Sequence, residues 1–479
     1  MKSFLHFLTY FVFLNAANSQ QWQIMGDSTV SDRDGDLTFI TVDNSGIPTI
    51  AYRDLRTSSL GATVKRFDGS YWILVGNGGF SNGNIGDVTI AFDNNNIPYV
   101  VFTVENYGTV VMKFDGNNWV RVGPSTPIAS GTLNSLAIDK NGTPYIAFRD
   151  QGNNYKANVM RFDGSNWTFV GQQGFSQGGV GYPSISIDNN GIPYIAFWDM
   201  SDIYNQPPYK AAVMKFDGSN WVMVGQSGFA AWNSYNHPMA FDSNNNLYFV
   251  GSLSGQTTLM KFNGNNWNSV GGAVAQGSTG DNFLLLNKND VPYIAFTDGA
   301  NGKANVKKFN GINWVNVGNP DFSPSQCFYL TLALGNNGEV YTAFEDGTPH
   351  HFYYNNNYIT YYPAIAMMFK EQAAAVNETK NNSLLSVYPN PAKNTITVKF
   401  APANAMPDGR QAAQATLKIS NSLGATVYSE IVKENTNSFT KEINGSTTLT
   451  INVAALPKGI YFVELLQGKN RAEQKFVVE

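Results

Sequence analysis

Seven tryptophans, Trp22, Trp72, Trp119, Trp167, Trp221, Trp267 and Trp314, stand roughly 46 to 54 residues apart and mark a unit that repeats along most of the chain. Its clearest copy runs Asp188-Asn-Asn-Gly-Ile-Pro-Tyr-Ile-Ala-Phe-Trp-Asp199, then Val213-Met-Lys-Phe-Asp-Gly-Ser-Asn-Trp-Val-Met-Val-Gly225. Asp-Asn-Asn-Gly is a tight turn, because Asn and Gly accept positive φ and Asp bonds to its own backbone. Pro193 opens a strand, where a missing N–H costs little. Tyr-Ile-Ala-Phe is apolar on both faces, as in a strand covered on both sides. Phe-Asp-Gly-Ser-Asn-Trp is a second hairpin turn, and Gly225 permits a sharp exit. Four short strands per unit at this period predict the blades of a β-propeller.

The strand after the first turn recurs seven times, at Pro48–Tyr52, Pro98–Phe102, Pro144–Phe148, Pro193–Phe197, Leu247–Gly251, Pro292–Phe296 and Val340–Phe344. The Phe-Asp-Gly turn recurs at Phe67, Phe114, Phe162 and Phe216, and becomes Phe-Asn-Gly at Phe262 and Phe309. The last copy decays to Tyr353-Tyr-Asn-Asn-Asn-Tyr358, while Trp22-Gln-Ile-Met-Gly26 is an orphan fourth strand. The expectation is seven blades, with the N-terminal strand completing the last and closing the ring. Tyr358-Ile-Thr-Tyr-Tyr362 is the alternative occupant of that place.

Charged residues are few and aromatics abundant, which fits an all-β chain and disfavours long helices. A formal net charge of −4 gives no basic face for nucleic acid. With Cys327 as the one cysteine, no intramolecular disulfide can form. Residues 1–19 read as a signal peptide: Lys2 at the positive end, an apolar run from Phe4 to Leu14, and Ala17-Asn-Ser19 before the cleavage point. No later stretch is long and apolar enough to predict a transmembrane anchor.

Residues 20–363 are the expected propeller. The two hairpin turns of each unit share one face. The other face carries the second-to-third-strand loops and the blade crossings, which are longer and differ between copies, so binding is expected there. An acid follows the second strand in five copies: Asp54, Asp150, Asp199, Asp298 and Asp346. Lys156, Lys210 and Lys303 follow in three of those loops. Such an Asp either caps its loop by accepting backbone N–H bonds or contributes to an acidic ring that binds sugar hydroxyls or a cation. Trp198 and Trp232 fall outside the repeating series and are candidates for stacking on a sugar; packing beneath the loop after Asp199 is the structural alternative. The Phe of the crossings Gly79-Phe-Ser81, Gly174-Phe-Ser176 and Gly228-Phe-Ala230 is expected to plug the gap between blades. Asp32, Asp34 and Asp36 alternate as calcium ligands do, without the rest of an EF-hand pattern. Calcium is the one cofactor this leaves open.

Residues 364–383 lose the repeat and read as a linker or a short helix. Residues 384–479 form a smaller β domain with strands at 395–400, 415–420, 426–432, 449–453, 459–466 and 473–478, expected to be an antiparallel sandwich. Its Val387-Tyr-Pro-Asn-Pro391, Leu417-Lys-Ile-Ser-Asn-Ser-Leu-Gly424, Leu456-Pro-Lys-Gly-Ile-Tyr-Phe-Val463 and Lys475-Phe-Val-Val478 occur in the order of a known family. This region resembles the type A C-terminal sorting domain of type IX secretion substrates in Bacteroidetes. The resemblance implies recognition by that machinery, passage through the periplasm, and a secreted or outer-surface destination.

Catalytic signatures are sparse. The adjacent pair His350 and His351 would point to opposite sides of a strand and chelate poorly. No Gly-x-Ser-x-Gly elbow and no phosphate loop occur. Phe-Asp-Gly-Ser-Asn-Trp sits where sialidase-like propellers carry an Asp-box, but without its serine-first order, and Arg53 and Arg149 lack a third equivalent arginine. The expected function is therefore an exported binding module for glycan or another surface polymer. A carbohydrate-active hydrolase or lyase and an adhesion scaffold with a protein partner are the alternatives.

Overall fold

A computed structural model describes residues 21–370 and 385–479, apart from 27, 33, 56–60, 82, 202–208, 233–237, 278, 355–356, 401–414, 422–425, 433–438, 442–446 and 468–469. The predicted signal peptide and most of the predicted linker lie outside those residues. The protein is all-β and divides into two compact units, the first reaching residue 371.

The first unit is a seven-bladed propeller of four-stranded antiparallel sheets. Blade 1 comprises Gly35–Val42, Pro48–Asp54, Gly61–Phe67 and Trp72–Leu74, and blades 2 to 6 repeat that order through Trp314–Asn316. First strands of successive blades contact one another in a closed circle, so they are the innermost. Second strands are buried along almost their whole length, which accounts for their apolar residues on both faces.

Blade 7 departs from the expectation at one point. Its strands are Cys327–Leu334, Glu339–Asp346, Ala364–Lys370 and, from the other end of the chain, Gln23–Ile24. The N-terminal strand does close the ring, through Gln23 opposite Met368 and Ile24 opposite Met367. The third strand, however, lies in the stretch predicted as the start of the linker. The tyrosine-rich segment instead forms a separate hairpin, His350–Tyr354 with Asn357–Tyr361, inserted between second and third strands. Phe369 packs against Trp22 at 5.6 Å in a tilted geometry, as Phe162 packs against Trp167 at 5.5 Å, so it is the seventh copy of the turn phenylalanine.

The tryptophan period now has a physical cause. Each indole Nε1 donates to a carbonyl of the preceding blade: Trp72 to Met25, Trp119 to Val75, Trp167 to Val122, Trp221 to Val170, Trp267 to Val224 and Trp314 to Val270, and Trp22 closes the set on Val317. The glycine after each of those carbonyls must be glycine. Gly171, for example, has φ +74°, and a Cβ there would lie 2.9 Å from the Phe216 ring. The crossing phenylalanines are the predicted plugs: Phe80, Phe175 and Phe229 each stack on the next blade's tryptophan at 4.4 Å, and Phe322 stacks on Trp22 at 4.0 Å. Such aromatic pairs contribute about 0.5–1.5 kcal/mol beyond the area they bury.

A second circle runs around the turn face. Asp188 accepts from Asn190 N and Ile192 N, holding its Asp-Asn-Asn-Gly turn. Side chains then bridge turn to turn: Asn44 to Asn94 O, Asn94 to Lys140 O, Lys140 to Asn189 O, Asn189 to Asp242 O, Ser243 to Asp290, Lys288 to Asn336 O, and Asn336 back to Asn44 O. The polar repeat thus welds one face of the ring and leaves the loop face to vary.

The second unit contains two four-stranded antiparallel sheets. One orders Leu385–Tyr388, Thr395–Phe400, Thr447–Asn452 and Phe439–Lys441; the other orders Thr426–Val432, Ala415–Asn421, Gly459–Gln467 and Asn470–Val478. Ile396, Val398 and Leu449 from the first meet Leu417, Val463 and Phe476 from the second in one core, making a sandwich. Asn390 of the Pro-Asn-Pro turn accepts from Val477 N at 2.9 Å, tying the opening motif to the last strand.

Candidate functional site

On the loop face, a cavity of about 880 Å³ occupies the mouth of the channel. The inner strands build it by a shared irregularity. Their pairing to the second strand skips at Asp36/Phe39, Thr132/Ser135, Gly181/Ser184, Gly280/Phe283 and Phe328/Thr331. At each skip one non-glycine residue has positive φ: Leu37 (51°), Leu133 (54°), Tyr182 (46°), Asp281 (46°) and Tyr329 (54°). L-residues rarely adopt this conformation, and such strain concentrates at functional sites. All five residues line the cavity, together with the loop Asp298–Gly302 of blade 6.

Two cavity carboxylates were not singled out in the sequence. Asp87 occupies the bulge position of blade 2 and ties it to blade 3, accepting from Thr103 N (2.6 Å), Thr103 Oγ1 (3.1 Å) and Asn134 N (2.7 Å). Burial raises its pKa, and the hydrogen bonds from Asn134 and Thr103 oppose that rise. Asp281 is held more loosely, with Leu330 N at 3.4 Å. Burial pushes its carboxyl up to about 6 against hydrogen bonds from Leu330 and Tyr329 N–H groups. Both lie deep in the ring while keeping part of their surface open to the cavity. The available signal was an Asp where other copies carry Leu or Tyr.

The five predicted loop acids are distributed differently. Only Asp298 among them lines the cavity, and it accepts from Ala300 N at 2.7 Å. Asp54 is 0% exposed. Asp150, also buried, caps its loop, accepting from Gly152 N (2.9 Å), Ser130 Oγ (3.0 Å) and Asn158 Nδ2 (3.4 Å). Asp346 is buried and takes the Thr348 hydroxyl at 3.2 Å. Asp199 accepts from Ser201 N and Ser227 Oγ; burial would raise its pKa, but those bonds and Lys210 bring it below the usual value. Asp150, Asp199 and Asp298 hold loops, because a carboxylate at the end of a second strand is well placed to satisfy the backbone N–H groups that follow.

Of the two tryptophans, Trp198 is half-buried, in tilted contact with Tyr209 at 3.6 Å and parallel to Tyr182 at 6.4 Å. Trp232 is 8% exposed and packs on Phe249, so its ring is not presented at the surface. The alternating acids also part company. Asp32 pairs with Lys65 at 3.0 Å, Asp34 accepts from Tyr362 N, and Asp36 forms a two-pronged pair with Arg53. Among the described residues no group of three or more His, Cys, Asp and Glu is gathered to hold a metal ion.

The Arg53–Asp36 pair adjoins the cavity wall at the junction of blades 7 and 1. Glu345, opposite Phe328 on the neighbouring strand, faces the same cluster. Burial pushes its carboxyl up to about 7, with Asp36 and Asp34 adding to the rise and Arg53 opposing it. Tyr329 stands between this cluster and Asp281, raised by burial and then by Asp36 and Glu345.

Residues 386–479 match the model of the secretion system C-terminal sorting domain family. They form a type IX sorting domain. A domain of this kind indicates export by that route, as the motifs at Pro389 and Gly459 implied. No curated protein matches the chain. Among solved structures, it is similar to a protein of unknown function from Dyadobacter fermentans (11% identity, 74% of this chain and 98% of that one, TM-score 0.42). It is also similar to the Aleuria aurantia lectin (13%, 57% and 93%, 0.39) and to an ulvan lyase of a polysaccharide lyase family (13%, 72% and 95%, 0.43). The propeller assignment itself rests on the seven sheets and the circle they close.

Proposed function

We propose that the propeller is an exported glycan-binding module whose ligand site is the cavity at the mouth of its channel. The observation that carries this reading is the lining. Phe39, Tyr182, Phe328 and Tyr329 supply aromatic rings beside the hydrogen-bonding side chains of Asn301 and Gln326. Flat apolar rings next to hydrogen-bonding groups are what a sugar needs, with its C–H face and its hydroxyl edge. The volume of about 880 Å³ suits a short oligosaccharide better than a folded partner. The sorting domain supplies the route to the cell exterior.

The test is titration of the intact protein with a glycan panel, alongside Phe328→Ala, which alters a side chain 42% exposed at the cavity. Saturable binding that this change weakens by about tenfold, ~1.4 kcal/mol, supports the reading. Binding to no glycan on the panel would overturn it and favour an adhesion scaffold. A hydrolase or lyase reading draws on Glu345, held up to about 7 beside Asp36, since a general acid must be protonated near neutrality. It predicts release of shorter products from a bound polysaccharide and their loss in Glu345→Gln.

A further inference from the structure

The cavity's charge is one-sided. Among the described residues that line it there are three aspartates, Asp87, Asp281 and Asp298, and no lysine, arginine or histidine. The wall behind it extends the asymmetry, with Glu345, Asp36 and Asp34 converging at the blade 7–1 junction. Arg53, the cation there, is already engaged by both oxygens of Asp36 and by Ile85 O.

The aspartates differ in how far they are committed. Asp87 is saturated by Thr103 and Asn134, and Asp298 holds its own loop. Asp281 has one long contact, from Leu330 N to Oδ2, in addition to the influence of Tyr329 N. Cys327 and Tyr329 on the inner strand of blade 7 are near enough to feel its charge, and Asp298 and Asp87 line the same cavity. None of them brings a positive charge. An ionised carboxylate in such a place gains most from a cation supplied by the ligand, and the aromatic rings beside it favour the same charge.

We propose that the cavity ranks glycans by charge: sugars bearing a free ammonium group bind best, neutral sugars bind less well, and carboxylated or sulfated sugars are rejected. The inference rests on the glycan-binding reading and names its ligand class. Asp281 is the residue that meets the ammonium group, with Tyr329 and Phe328 beside it. A uronate or sulfate would meet like charge with no counter-ion, an arrangement that suppresses wrong partners at an interface.

The experiment uses the full chain and three probes of equal length: a glucosamine oligomer with free amines, its N-acetylated counterpart, and a galacturonate oligomer. Titrations are made at about pH 6.5, where a carboxyl at about 6 is mostly ionised. The expected result is affinity at least about tenfold higher for the amine than for the N-acetylated oligomer, and no saturable binding of the galacturonate. Asp281→Asn should abolish most of the amine preference, read as the ratio of the two affinities, and its thermal melting curve controls for folding. Equal or tighter binding of the galacturonate, or an amine preference unchanged in Asp281→Asn, overturns the charge ranking but leaves glycan binding standing. Failure of all three probes to bind overturns both for these sugars.

Discussion

The indole Nε1 of Trp22 donates to the carbonyl of Val317 at 2.8 Å across 295 residues of chain, and so fastens the N-terminal strand to the exit of blade 6. The same bond recurs at every blade, but only here does it join the two ends of the ring. Trp22→Phe keeps the stack on Phe322 and removes the hydrogen bond, with an expected loss of about 1 kcal/mol. Trp22→Ala removes the ring as well and should lose about 3–5 kcal/mol. Chemical denaturation followed by intrinsic fluorescence checks both, and equal losses for the two variants would show that the ring does not lock the closure.

The circle of turns makes a separate prediction. Asn44 Nδ2 reaches Asp93 O at 3.3 Å and Asn94 O at 3.1 Å, while its own carbonyl accepts from Asn336. Asn44→Ala therefore removes the side-chain links to blade 2 and leaves the backbone link to blade 7. A loss of about 0.5–1.5 kcal/mol is expected. A double variant with Asn336→Ala should be additive to within about 0.5 kcal/mol if the links act independently, and a larger loss would reveal coupling around the circle.

Glu345 gives the propeller a pH dependence of unusual sign. Its folded-state carboxyl lies at about 7, above the ordinary value of 4.5, through burial and then Asp36 and Asp34. Between those values the native state binds more protons than the unfolded state, so stability falls as pH rises through that window. Asp281, at about 6 through burial, adds a contribution of the same sign. The expected outcome is a higher Tm near about pH 5 than near about pH 8, with the difference reduced in Glu345→Gln. An unchanged difference in that variant would place the pH sensitivity elsewhere.

The sequence showed most clearly what the repeat preserves. Trp, Phe, Val-Gly and Asp-Asn-Asn-Gly each make one bond seven times or nearly so, and a contact made that often leaves a period. The third strand of blade 7 escaped notice because Lys370 is followed by no Asp-Gly turn: its partner strand comes from Gln23, at the other end of the chain. Ala364-Ile-Ala-Met-Met-Phe369 nonetheless carries the apolar spacing of Ala211-Ala-Val-Met-Lys-Phe216. The cavity was harder to read. Asp87, Asp281 and Tyr329 share a position set by a backbone bulge, and a bulge has no residue signature when Leu, Tyr and Asp all adopt it. The conspicuous acids, such as Asp150, were conspicuous because they recur, and Asp150, Asp199, Asp298 and Asp346 each bond to the residue two places on in the loop that follows.

That distinction can be tested on Asp150. Its carboxylate is buried and meets Gly152 N, Ser130 Oγ and Asn158 Nδ2, all within its own blade or the loop beside it. Asp150→Ala leaves those donors unsatisfied and should cost about 1–3 kcal/mol. Because Asp150 does not line the cavity, its replacement should leave glycan affinity unchanged under conditions where the variant is folded. Phe328→Ala should show the reverse, little change in Tm and a clear loss of affinity, since its side chain is partly exposed and lines the cavity. Thermal melting and glycan titration on the same two variants separate the roles. If Asp150→Ala remained as stable as the parent and lost ligand, the acid at the end of the second strand would belong to the binding surface after all.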